Sequence, residues 1–147
     1  MCGIACGTEL KIQSDMIYLR PVRAFVRKLA ESAGFCHEKA SDIEIAVDEI
    51  FTNAVEHGSA DTGSPVTVQC LSTDEMIEVT VSDTGTGESD TSWISAWPDV
   101  VKKEVDSHTE KGRGLLLAHK LTDEMSMEPN LTGGINVHLV IYKGGSK

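Results

Sequence analysis

The sequence predicts a single α+β domain, a two-layer sandwich with helices on one face of a mixed, mostly antiparallel sheet. Three observations predict it. Apolar residues recur at helical spacing in two early segments, they alternate with period two in three later segments, and a further helical pattern precedes the last of these. Helices first, then strands, then one helix before a closing strand is the order expected of a sheet covered on one side. The 147 residues suffice for one domain with a sizeable core, and residues 1–147 read as one unit.

The first helix is expected from about Ser14 to Ala33. Val22, Phe25, Val26 and Leu29 fall at i, i+3, i+4 and i+7, and Gly34 is a natural stop. The second is expected from "SDIE", where Ser41 and Glu44 form a capping-box pattern. Ile43, Ala46, Val47, Ile50 and Ala54 make its apolar stripe, and His57-Gly58 ends it. Val66, Val68 and Cys70 then alternate with Thr67 and Gln69. After the turn "STDE", Ile77, Val79 and Val81 alternate with Glu78, Thr80 and Ser82, which completes a hairpin. "GRGLLLAHKLTDEM" reads as a glycine turn feeding a helix, with Leu115, Ala118, His119, Thr122 and Met125 near one face. In "INVHLVIY", Ile135, Val137, Leu139 and Ile141 alternate inward. Residues 88 to about 111 have no clean period; a long acidic, polar segment holding Trp93, Trp97 and Pro98 suggests a lid or mobile loop.

Composition narrows the function classes. A net charge of −10 argues against non-specific nucleic-acid binding. No apolar run approaches the roughly 18–20 residues that span a bilayer, and "MCGIACGTEL" lacks the layout of a signal peptide. A cytoplasmic location is the expectation. Arg20, Arg23, Arg27 and Lys28 form a basic cluster on the first helix, either a solvated face or a docking patch for an acidic partner. Cys70 is read as a small buried hydrophobe. Cys2, Cys6, Cys36 and His37 match no standard zinc spacing and are read as free thiols and a histidine.

Chemistry concentrates in three places. In "VDEIFTNAVEHG", Glu49 and Asn53 lie four apart on one helix face, beside the apolar stripe. A carboxylate with an amide oxygen is a hard-oxygen environment of the kind Mg²⁺ accepts. Asp83 opens "DTGTG" at a strand end, on the same face as Ile77, Val79 and Val81, where a buried acid needs a partner. "GRG", Gly112 to Gly114, opens a helix whose first N–H groups suit an anion. Singly, these are a solvated pair, a turn and a flexible connection. Their order and placement make the combination specific.

With these residues in place, the sequence resembles the GHKL (Bergerat) ATP-binding fold over about residues 10 to 143, and within it the small anti-sigma factor serine/threonine kinases of bacteria. "DEIFTNAVEHG" resembles the N-box, "VSDTGTG" the first glycine box, "KGRGLLLAHKLTDEM" the second with its helix, and "GGINVHLVI" the closing strand. The resemblance implies that Glu49 is the general base, that Asn53 holds Mg²⁺, and that Asp83 accepts from the adenine amino group. It implies that Gly85 and Gly87 let backbone approach ATP or ADP, and that Lys111, Gly112, Arg113, Gly114 and Leu115 pass the phosphates at the end of an ATP lid spanning 88–111. His57 stands where the family often has His, and a helix-end role explains it equally. Asn136 and Ile135 replace a usual Thr, leaving Asn136 as the polar contact on the closing strand; Glu88 replaces a usual hydrophobe.

The chain has no room for the helical hairpin of a sensor histidine kinase, and His37, His57, His108, His119 and His138 lie in no such context. The resemblance therefore implies a kinase for a STAS-domain anti-sigma antagonist that controls a sigma factor by partner switching, with homodimers formed through the first helix and sheet edge. A nucleotide-responsive regulator that sequesters its partner without transferring phosphate is the alternative, and a degenerate, empty site is the third.

Overall fold

The computed structural model describes residues 6–86 and 110–144. Its elements are β1 (Cys6–Gln13), a 3₁₀ turn (Met16–Tyr18), α1 (Leu19–Ser32), α2 (His37–His57), β2 (Pro65–Ser72), β3 (Met76–Ser82), α3 (Glu110–Leu121), β4 (Glu124–Pro129) and β5 (Ile135–Tyr142). The strands form one sheet in the order β1-β2-β3-β5-β4, every pair antiparallel.

Register assigns the two faces. Val68 opposes Val81 and Cys70 opposes Val79 across β2 and β3. Ile77, Val79 and Val81 oppose Ile141, Leu139 and Val137 across β3 and β5. These side chains meet Val22, Val26 and Ala30 of α1 and Ile43, Ala46, Val47, Ile50, Phe51 and Ala54 of α2 in one buried cluster. The opposite face carries Glu78, Thr80, Ser82, Asn136 and His138, as period two requires. The expected two-layer sandwich is present. So is the stop at Gly34: its φ is +91°, and Gly34 and Phe35 N–H donate to Glu31 and Ala30 carbonyls. That is a Schellman closure, with Phe35 buried beneath it.

Several expectations on the helices and edges are corrected. The helix expected from Ser14 begins at Leu19, because Ser14 N–H bonds Ser64 O (2.9 Å) and Asp15 caps the 3₁₀ turn. The second begins at His37 rather than Ser41. Ser41 Oγ instead accepts from Arg27 Nη1 at 3.1 Å. The last helix ends at Leu121, where Thr122 Oγ1 donates back to Ala118 O at 2.9 Å. The following "EMSMEP" is a strand, with Met125 and Met127 opposing Leu139 and Val137. β1 was not anticipated; among the described side chains of this edge strand, only Leu10 and Ile12 are partly buried and apolar.

The basic cluster on α1 divides. Arg20 and Lys28 are exposed. Arg27 spans Glu31 Oε2 (3.3 Å), Glu44 Oε1 (2.9 Å) and His37 Nδ1 (2.8 Å). Arg23 reaches Glu44 Oε2 (3.5 Å) and Asp48 Oδ2 (3.4 Å). Half of the supposed solvated face is thus a clamp of α1 on α2.

Candidate active site

Asp83 is the centre of the site. It follows β3 on the buried face, and its Oδ1 accepts from Gly85 N–H at 3.1 Å and Ile135 N–H at 3.0 Å. Its own N–H donates to Ile135 O at 3.2 Å. The carboxylate is therefore held in one orientation by the main chain of two segments.

Glycines make that possible. A Cβ on Gly58 would stand 2.1 Å from Asp83 Oδ2, and one on Gly134 would stand 2.3 Å from Oδ1. A Cβ on Gly85 would stand 2.2 Å from Gly133 O, and Gly85 has φ +79°. Gly58, with φ −106°, is conformationally ordinary. It was read as a helix stop, but close approach to Asp83 is what requires glycine there. Ser59 pairs with Gly85 in an isolated parallel bridge, which ties the end of α2 to the same cage.

Beside the cage lies a narrow slot between α2, α3 and the sheet. Ile50, Ala54, Val81, Leu115, Met127, Ile135 and Val137 give it apolar walls. Asn53 and His57 enter from α2, and Gly58, Asp83, Gly85, Gly133 and Gly134 close one end. Its cavity volume is about 40 Å³, well below that of small-molecule sites, so a ligand must part the walls. A flat apolar slot with a fixed carboxylate at its end suits a planar ring carrying an amino donor.

One turn before Asn53, Glu49 sits half-buried, its carboxyl raised above the ordinary glutamate value by burial and then by the charge of Asp48. A Cβ on Gly114 would stand 2.5 Å from Glu49 Oε2. The backbone of α3 thus lies on the carboxylate, and a side chain at 114 would move Glu49 from this position. A desolvated carboxylate is a stronger base than a solvated one, which suits it to take a proton from a hydroxyl.

The other expected residues fall as follows. Leu115 is buried in the slot wall and Arg113 is exposed. Lys111 and Gly112 lie in the first turn of α3, so Gly112 to Gly114 belong to the helix rather than preceding it. Gly87 and residues 88–109 of the expected lid lie outside the described residues. Asn136 is corrected: period two turns it to the outer face, where it accepts from Asn130 Nδ2 at 3.0 Å, and Ile135 takes the place in the slot. Sequence reasoning also missed Gly58, Gly133 and Gly134 as parts of the cage, and missed Asn130 altogether. The pair of glycines before "INVHLVIY" was the available signal.

A family model described as the histidine kinase-like ATPase domain matches residues 12–140. The chain belongs to that family. Among relatives, the serine-protein kinase RsbW of Bacillus velezensis is 30% identical over 141 residues, covering 95% of this chain and 87% of its own. The serine-protein kinase RsbW of Bacillus pumilus is 32% identical over 139 residues, covering 91% of this chain and 84% of its own. A crystal structure of the RsbU and RsbW domains of a Mycobacterium tuberculosis protein has a TM-score of 0.65 at 23% identity, across 92% of this chain. This chain spans about a third of that one (32%), and the likeness concerns the fold. Membership of a histidine kinase-like ATPase family implies ATP binding. Asn53 sets a side-chain amide on the slot wall, one turn from Glu49.

Proposed function

We propose that this chain is an ATP-dependent protein serine/threonine kinase of the anti-sigma type, acting on a STAS-domain antagonist. The γ-phosphoryl group of Mg·ATP passes to a Ser or Thr hydroxyl, the hydroxyl proton goes to Glu49, and ADP leaves. Asp83 accepts from the adenine amino group, and Asn53 supplies the protein's ligand to Mg²⁺. The phosphate adds about −1.5 to −2 of charge to the antagonist and breaks its complex, which frees this chain to hold a sigma factor.

The observation that carries this reading is the alignment along one helix. Glu49, Asn53 and His57 follow one another by single turns of α2, from Gly114 at one end to the Asp83 cage at the other. Phosphoryl transfer asks a protein mainly for position and charge compensation, so one base, one metal ligand and main-chain donors suffice. The relatives named as serine-protein kinases support the same chemistry. Homodimers formed through α1 and the β1 edge, and a cytoplasmic location, belong to this proposal; no described helix is long and apolar enough to cross a membrane.

The test is incubation with γ-labelled ATP and the STAS-domain proteins of the same genome. Label on a Ser or Thr of one of them is the expected result. Nucleotide binding without transfer to any of them would favour a sequestering module.

A further inference from the structure

We propose that Asn130, in the turn between β4 and β5, is a positioning residue that sets the choice of adenine over guanine by holding Asp83; this rests on the nucleotide reading above. Asn130 is half-buried and does not itself line the slot. Its side chain nevertheless bonds both halves of the cage. Nδ2 donates to Asp83 O at 2.8 Å. Oδ1 accepts from Thr132 N–H at 3.1 Å, Thr132 Oγ1 at 2.6 Å and Gly134 N–H at 2.9 Å. The main chain closes the same turn, with Asn130 N–H donating to Gly134 O at 2.9 Å. The amide orientation is fixed by these partners, since reversing it would set an NH₂ group against two main-chain N–H groups.

The consequence reaches Asp83 through the turn. Gly134 packs on Asp83 so closely that a Cβ there would stand 2.2 Å from its carbonyl oxygen. One residue later, Ile135 N–H holds Asp83 Oδ1. Where the turn sits therefore decides which way the carboxylate faces. Base choice depends on that direction: adenine offers an amino group at the position where guanine offers a carbonyl oxygen. A fixed carboxylate accepts from the first and repels the second, whereas a carboxylate free to turn away tolerates both.

Asn130→Asp separates this role from simple turn formation. It keeps an acceptor for Thr132 and Gly134 but puts an oxygen against Asp83 O. Titrations of Mg·ADP and Mg·GDP into the wild type, Asn130→Asp and Asn130→Ala give the test. The expected result is a preference for ADP in the wild type that falls by about tenfold or more in both variants, the size of one lost buried donor. An unchanged ratio, whether both affinities hold or fall together, overturns the positioning role. A wild type that binds neither nucleotide overturns the underlying reading and this proposal with it. Loss of cooperative unfolding in Asn130→Asp assigns the residue to folding and also overturns it.

Discussion

Gly58 lies against Asp83 so tightly that a Cβ on it would stand 2.1 Å from Oδ2 and 2.4 Å from Cγ. The carboxylate cannot retreat, because two main-chain amides hold its other oxygen. Gly58→Ala should therefore push α2 away from β3 or turn Asp83 out of line. The expected cost is about 1–3 kcal/mol by overpacking, with loss of measurable Mg·ADP binding. Chemical denaturation and calorimetric titration check the two parts; full binding at wild-type stability would mean that α2 yields freely at its end.

Glu49 makes a pH-dependent prediction with a definite sign. Burial raises its carboxyl above the ordinary value, so the folded state holds that proton more tightly than the unfolded chain. Its favourable contribution is present below the unfolded value and is lost as pH rises through the folded one. Glu49→Gln should then raise Tm at neutral pH by about 1–3 °C, and the gain should vanish in acid. The same change should spare Mg·ADP binding and remove transfer, which in the wild type should fall as pH drops through the raised Glu49 value. Melting curves at several pH values decide it, and a lower Tm for Glu49→Gln at neutral pH would contradict it.

Gly114 and Glu49 make a pair that separates chemistry from binding. A Cβ at 114 would sit 2.5 Å from the flexible end of Glu49, so the carboxylate rather than the helix should give way. Gly114→Ala is expected to lower kcat by about ten- to a hundredfold, as displacement of a base does, with KM for ATP within about threefold of wild type by the same argument. Steady-state kinetics on a phospho-accepting partner check this, and an unchanged kcat would show that the base does not act from its place against Gly114.

The clamp between α1 and α2 yields a stability prediction. Arg27→Ala removes charge-assisted bonds to Glu44 and Glu31 together with those to Ser41 and His37. A fall in Tm of about 2–4 °C is expected, and Lys28→Ala should give none, since Lys28 is exposed and, among the described residues, pairs only with Glu31. Equal effects of the two would remove the distinction drawn between clamp and solvated face.

Much of this was legible in the sequence because period and parity survive in the strands that face the helices. Val66, Val68 and Cys70, then Ile77, Val79, Val81 and Asp83, fall at alternate positions and are buried, and although Thr80 on the other face is buried too, the placement of Asp83 could be read directly. The edge strands were not legible. Among its described side chains β1 places only Leu10 and Ile12 against the core cluster, and β4 follows α3 so closely that Met125 fits either period. The glycine cage was hidden for a different reason. Gly58 and Gly134 matter through contact with a residue 25 or 51 positions away, and no local pattern encodes that proximity. Asn130 was missed likewise, since its bond to Asp83 crosses 47 residues. Asn136 was misplaced because identity was weighed there before parity.

The central claim is that the slot ending at Asp83 is an adenine-nucleotide site served by α2. A crystal structure of the chain grown with Mg·ADP tests it most directly. The expected result is the adenine amino group within hydrogen-bond distance of Asp83, the ring between Ile50, Ala54 and Val137, and the metal on the side-chain oxygen of Asn53. Nucleotide bound elsewhere, or a ring in the slot with its amino group turned away from Asp83, would contradict it.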